Sequence, residues 1–200
     1  MRSANRLGAG FAVFGGVAIA LMAAAVALAA VAESGSGAKG CGATVKVTDR
    51  ETFVVNRYAM DAMRYVPGTA TVKSGCTLTF AFATPGQDVP HSISIVKKSE
   101  LPKTSAEMQS CKVCKEIKAE HVKDPTEPAG PHNPILHWLV NAGRPGLDVP
   151  GDSLSIFEDA DKGAPPGHKS VVVRVSAPPG TVLHYICGMH PWMQGAIVVT

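Results

Sequence analysis

Tyr185-Ile186-Cys187-Gly188-Met189-His190-Pro191-Trp192-Met193-Gln194-Gly195 sets a thiol, an imidazole and a thioether at positions i, i+3 and i+6, between two strand-like segments. A metal that takes up and releases one electron with little rearrangement wants a thiolate and two imidazoles in a trigonal plane, with a weak axial thioether; this is the ligand set of type 1 copper. The loop holds three of those four donors. The fourth falls to His91, in Val89-Pro90-His91-Ser92 just ahead of the apolar run Ile93 to Val96. Taken singly, a Met or Cys at a strand end more often packs a core, and a His near a turn more often lies on the surface. The joint spacing carries the reading, so His91, Cys187, His190 and Met193 are the candidate ligands of one copper ion.

Outward from this loop the chain reads as sheet. Thr44 to Thr48, Thr52 to Tyr58, Thr69 to Val72, Thr77 to Phe82 and Ser92 to Val96 are short runs rich in β-branched and aromatic residues. Ser153 to Phe157, Ser170 to Ser176, Val182 to Ile186 and Ala196 to Thr200 follow after an interruption. Thr77-Leu78-Thr79-Phe80 and Val171-Val172-Val173-Arg174-Val175 alternate in the manner of half-buried strands, and Gly, Pro or Asp bound most runs, which predicts an antiparallel sandwich. With 200 residues, 46% of them hydrophobic, the length suits one domain with a real core. Gly (20) and Pro (15) are plentiful, which favours a turn-rich β protein over a helical bundle.

The interruption, about 97–151, is an insertion in the sheet pattern. Ser105 to Val122 carries Met108, Cys111, Ile117 and His121 among Lys and Glu, a short helix by its spacing. Seven Lys against four Glu between Lys97 and Lys123 make it locally basic, which reads first as a solvated face. Cys111 and Cys114 form a C-x-x-C pair followed by Lys115 rather than His, so covalent haem attachment is not indicated. A disulfide is the expectation in an exported chain, and a zinc site with His121 and either His132 or His137 is the alternative. Five cysteines are an odd number; pairing Cys111 with Cys114 and Cys41 with Cys76 leaves Cys187 for metal. His168 and His184 read as ordinary turn and strand residues.

At the N-terminus, Leu7 to Ala32 is a run of 26 residues without a charge, preceded by Arg2 and Arg6. Residues 1–32 therefore read as a signal peptide or a membrane anchor. Ala30-Val31-Ala32 has the small-x-small form of a cleavage site, and the run is long enough to span a bilayer. Both place the working domain outside the cytoplasm, in the periplasm or on the outer face of the membrane. Residues 33–42, rich in Gly and Ser, are a flexible linker to a domain at 43–200. The formal charge is +3; without Arg2 and Arg6, 17 basic residues face 16 acidic ones, too even a balance for a phosphate-binding surface. Nucleic acid is excluded as a partner.

The ligand loop resembles that of the cupredoxins, most closely the amicyanin and plastocyanin group: an aromatic (Tyr185) before the Cys, then Cys-x-x-His-Pro-aromatic-Met-x-Gly and a closing apolar strand. Tyr65-Val66-Pro67, Ala70 to Gly75 and Leu78-Thr79-Phe80 resemble the early strands that lead to Pro90-His91. The resemblance covers about 44–96 and 169–200, and implies a Greek-key β-sandwich, one type 1 copper and electron transfer without substrate chemistry. It also implies that His190 lies at the surface within an apolar patch that partners cover. Two departures stand out. Ser92 occupies the place where the family commonly has Asn, and the span from His91 to Cys187 is much longer than in small members.

The function expected is therefore single-electron transport between extracytoplasmic redox proteins, with copper storage or delivery as the alternative. A carrier wants a rigid site, and a chaperone wants exposed, exchangeable ligands. An enzyme of the multicopper oxidase or nitrite reductase kind needs further paired histidines, and the chain has no His-x-His. A dinuclear electron-transfer centre needs a second Cys in the ligand loop, which has only Cys187.

Overall fold

The computed structural model describes residues 41–49, 51–83, 89–127, 132–133, 135–142, 146–157 and 169–200. The leader expected at 1–32 and most of the 33–42 linker lie outside the described residues, as does His168. Among the described residues no helix is long and apolar enough to cross a membrane.

Two sheets face each other across one core. The first runs β10 (Ser170–Arg174), β6 (Thr77–Phe82), β1 (Ala43–Thr48), β4 (Arg64–Val66). The second runs β5 (Thr69–Val72), β12 (Gln194–Val199), β11 (Val182–Ile186), β7 (His91–Val96), β9 (Ser153–Ile156), β8 (Leu139–Val140). The chain crosses between the sheets at β4–β5, β5–β6, β6–β7, β9–β10 and β10–β11, so each sheet is assembled from strands distant in sequence. The sandwich is not wholly antiparallel, contrary to the expectation from alternation: β1 pairs with β6, and β12 with β5, in parallel. Alternation reports which face is buried, and strand direction is set by the crossovers between sheets.

The strand pattern explains the core. In β10, Val171 and Val173 turn inward while Ser170, Val172 and Arg174 face out. Leu78 and Phe80 of β6 are fully buried opposite Ile93 and Ile95 of β7, Leu154 and Ile156 of β9 and Tyr185 of β11. Each such side chain contributes about 1.5–3 kcal/mol by leaving water. Tyr65 meets Tyr185 edge-on with ring centroids 4.9 Å apart, and its hydroxyl donates to the carbonyl of Ser92.

Two elements differ from the sequence reading. Residues 52–58 are not one strand: β2 (Glu51–Val54) and β3 (Tyr58–Asp61) form a separate hairpin turning at Asn56, whose φ of 56° an Asn side chain tolerates. The single helix expected over 105–122 is two, α1 (Ser105–Gln109) and α2 (Lys112–His121). Thr104 and Glu107 cap α1 reciprocally, and Cys111, bonded to Cys114, caps α2.

The insertion lies on the outside of the second sheet. Strands β7 and β9 are buried on both faces. Their inner residues join the main core, and on the outer side Val96 and Ile186 pack against Cys111, Cys114 and Ile117 of the insertion. Buried Asp152 fixes the return of the chain to β9, its carboxylate accepting from the backbone N–H groups of Ala142, Asp148 and Val149 at 2.8, 2.8 and 3.0 Å.

Candidate metal centre

The four sequence-predicted residues reach the centre from two places in the fold. His91 opens β7 on its core-facing side and is fully buried beside Phe82. Cys187 directly follows β11, and His190 and Met193 stand in the turn before β12. That turn is closed by backbone hydrogen bonds from Cys187 N–H to the Met193 carbonyl (3.0 Å) and from Met193 N–H to the His190 carbonyl (2.8 Å). Gln194 ties it to the insertion, its side-chain amide donating to the carbonyls of Pro102 (2.8 Å) and Pro191 (3.0 Å).

Cys187 Sγ lies 3.5 Å from His190 Nδ1 and 4.0 Å from His91 Nδ1, and one ligand atom from each residue falls within a 4.8 Å cluster. Three donors placed about 2.0–2.3 Å from a common first-row ion, in a plane, stand about 3.7 Å apart. The donor set and its spacing thus fit a trigonal site. Met193 is buried in the same core cluster as Cys187. Cys187 is the free cysteine; Cys41 is bonded to Cys76 and Cys111 to Cys114, so the zinc alternative loses its two thiolates. The ring of His121 is turned to Ser153 and His137 instead.

Electrostatics prepare the donors for a cation. Burial pushes the His91 imidazolium down to about 3, with His190 adding to the effect, and pushes His190 down to about 4 against the upward pull of Asp61. Both rings are therefore neutral at ordinary pH, with lone pairs to give. Burial raises the Cys187 thiol, opposed by the Ser92, Met189 and His190 backbone N–H groups. Buried His91 Nε2 has no hydrogen-bond partner, so nothing competes for the ring through that atom. A positive ion is the counterpart that makes a buried thiolate affordable.

Next to the sulfur, the Ser92 backbone N–H donates to Cys187 Sγ at 3.4 Å, and the Ser92 hydroxyl accepts from Gly188 N–H at 3.0 Å. Ser92 therefore ties both the Cys187 sulfur and the residue after it to the start of β7. The ring of His190 is half-buried and meets Trp192 edge-on at 5.2 Å between centroids, and Trp192 is 43% exposed. The aromatic is a surface side chain.

Sequence reasoning missed Ser94, Ser153 and the role of His121. Their only signal is alternation of Ser with Ile or Leu in β7 and β9, which ordinarily marks a solvent face.

No protein-family model and no curated protein matches the chain. Among solved structures it is similar to auracyanin from Roseiflexus castenholzii (19% identity, 80% of this chain and 97% of that one, TM-score 0.38). It is similar also to a mutant plastocyanin of fern (16%, 78% and 99%, TM-score 0.35) and to a purple cupredoxin from Nitrosopumilus maritimus (15%, 79% and 99%, TM-score 0.32). The two-sheet sandwich thus carries one buried thiol and two neutral imidazoles to within reach of a single ion, from a Cys-x-x-His-x-x-Met loop and an upstream strand, and this donor set fits copper.

Proposed function

We propose that the protein carries single electrons between redox proteins outside the cytoplasm, and that His91, Cys187, His190 and Met193 would hold the copper ion. The observation that carries this reading is the convergence of the Cys187 thiol with the Nδ1 atoms of two buried or half-buried imidazoles. Bound copper supplies a one-electron couple at this position. The chain's own residues hold the donors in place: the backbone bonds of the 187–193 turn, the Ser92 N–H on the sulfur, and the packing of Tyr185 and Met193 beneath. His190, half-buried beside exposed Trp192, is the route by which an electron leaves. Met189 and Pro191, both partly exposed, add surface without charge, suited to a small, quickly dissociating encounter.

The test is the visible and electron-spin spectrum of the copper-loaded protein. An intense thiolate-to-copper absorption is expected in the parent and its loss in Cys187→Ser. A spectrum that survives this substitution refutes the ligand assignment, and one without a thiolate band in the parent refutes the type 1 reading.

A further inference from the structure

The outer face of β7 and β9 is polar yet sealed from water. Ser92 stands opposite Ser155 and Ser94 opposite Ser153 across the antiparallel pair, and all four are buried beneath the insertion. Three of them form a continuous line: Ser92 Oγ to Ser94 Oγ at 2.9 Å, Ser94 Oγ to Ser153 Oγ at 2.6 Å, and Ser153 Oγ to His121 Nε2 at 2.6 Å. One end is the Gly188 N–H on Ser92 Oγ, one residue beyond Cys187. At the other end, His121 Nδ1 meets the carbonyl of His137.

The polarity of both ends is fixed by chemistry. A backbone N–H only donates and a carbonyl only accepts. His121 therefore carries its proton on Nδ1, and its Nε2 is a lone pair that accepts from Ser153. Each hydroxyl must then point the same way: Ser92 donates to Ser94, Ser94 to Ser153, Ser153 to His121. Burial supports the neutral ring, since it disfavours the imidazolium form. A hydroxyl whose own proton is engaged is a better acceptor, so the polarisation adds along the line.

We propose that His121 is a positioning residue for the copper-ligand loop: through Ser153 and Ser94 it keeps the Ser92 hydroxyl turned away from Cys187 and accepting from Gly188 N–H. The inference rests on the copper reading given above. Ser92 meets the Cys187 sulfur through its backbone N–H, and its hydroxyl holds the N–H of the residue after Cys187; the acceptor at the far end of the line is what draws the hydroxyl proton toward Ser94. Without that acceptor the hydroxyls lose their common direction, and Ser92 O–H becomes a further donor to the thiolate. Hydrogen bonds around the Cys sulfur tune the potential of such a centre; an added one stabilises the thiolate and favours reduced copper.

The experiment compares the parent with Ser153→Ala, His121→Phe and His121→Gln, the last keeping an acceptor oxygen near the place of Nε2. In the metal-free parent, nitrogen-15 spectra should show His121 protonated on Nδ1 alone, and Ser153→Ala should move the Gly188 amide resonance. With copper bound, Ser153→Ala and His121→Phe should raise the ratio of reduced to oxidised copper at fixed external potential about fivefold, the size expected of one rearranged hydrogen bond. His121→Gln should return it toward the parent. A proton found on Nε2, or a Gly188 amide and a copper ratio that both stay at parent values in Ser153→Ala, overturns the proposal. So does a His121→Gln protein that deviates as far as His121→Phe, since packing alone then explains the change. Ser153→Ala removes one oxygen and decides the matter if the His121 variants fail to fold. A parent lacking the thiolate band sinks the copper reading instead, and the His121 and Gly188 resonances of the metal-free protein still decide the relay.

Discussion

Replacing Gly188 by Ala tests whether the insertion is clamped onto the ligand loop. A Cβ at position 188 would sit 2.5 Å from Ile117 Cγ2 and 3.0 Å from Ile117 Cβ, with the Cys114 carbonyl oxygen at 3.6 Å. Ile117 is buried in α2, and its β-branched side chain has essentially one rotamer in a helix, so it cannot swing aside. Either the helix or the loop must move. Overpacking of this kind costs about 1–3 kcal/mol, and in a domain of this size each kcal/mol lowers Tm by roughly 2–4 °C. The assay is thermal unfolding of parent, Gly188→Ala, Ile117→Ala and the double variant. Ile117→Ala alone removes a buried side chain and costs about 2–5 kcal/mol. In that background the added methyl at 188 has room, so its penalty should nearly vanish. A Gly188→Ala protein as stable as the parent, or a penalty equally large with and without the Ile117 side chain, refutes the close packing of α2 on the ligand loop.

The metal-free protein should lose stability on acidification. His91 and His190 are held neutral in the fold, down to about 3 and about 4, while the unfolded chain takes up those protons near 6.5. The unfolded state therefore binds more protons across this window. The contribution is full above about pH 6.5, is lost as the pH falls toward 4, and amounts to a few kcal/mol in order of magnitude. A urea midpoint unchanged between pH 7 and pH 4.5 contradicts it. Thiol titration of denatured, unreduced protein prepared without copper should find one free thiol per chain, that of Cys187; three free thiols, with stoichiometric zinc in the protein before denaturation, would restore the zinc alternative for Cys111 and Cys114. Trp192→Ala should keep the thiolate absorption and slow electron exchange between two copies of the protein by removing a central aromatic contact; exchange at the parent rate removes His190 as the exit.

The cluster at the candidate centre was legible in the sequence because a metal site imposes residue types at short spacing, and Cys187, His190 and Met193 lie within one turn. His91 was legible because a strand with Pro before it leaves few positions for a donor at its mouth. The strands of the sandwich were legible where one face is apolar, as in β10 and β6. Residues 52–58 misled because Phe53 and Val55, at 70% and 69% exposed, are apolar side chains on a hairpin that packs neither of them. The serines of β7 and β9 misled in the opposite sense: alternation marks them as outward, and outward here means under the insertion. Period-2 patterning says that two faces differ, not that the polar one is wet. Parallel pairing of β1 with β6 and of β5 with β12 is set by long-range crossovers and has no short-range signature.

The position of the insertion has a consequence for electron exchange. In a sandwich alone, the Cys187 to Met193 turn would be held from the core side, by Tyr185 and Met193, and by its own backbone bonds. Here it is also held from outside. Ile117 of α2 lies against Gly188, Gln194 reaches the carbonyl of Pro102, and the serine line beneath α2 ends on the Gly188 amide. Cys111–Cys114 shortens the reach of the first turn of α2, and buried Asp152 fixes the far end of the insertion to β9. A loop restrained on both sides gives its donors little freedom to follow the different geometries that two oxidation states prefer, and a small change in geometry is what lets an electron move at low cost. Removing either outer tie, by Gln194→Ala or by Ser153→Ala, should therefore leave copper bound while increasing the difference between oxidised and reduced forms. That difference is read as a larger set of Cys187-loop amide shifts between the Cu(I) protein and the protein loaded with a redox-silent divalent ion in place of Cu(II). Identical shift differences in parent and variants would mean that the core side alone holds the loop.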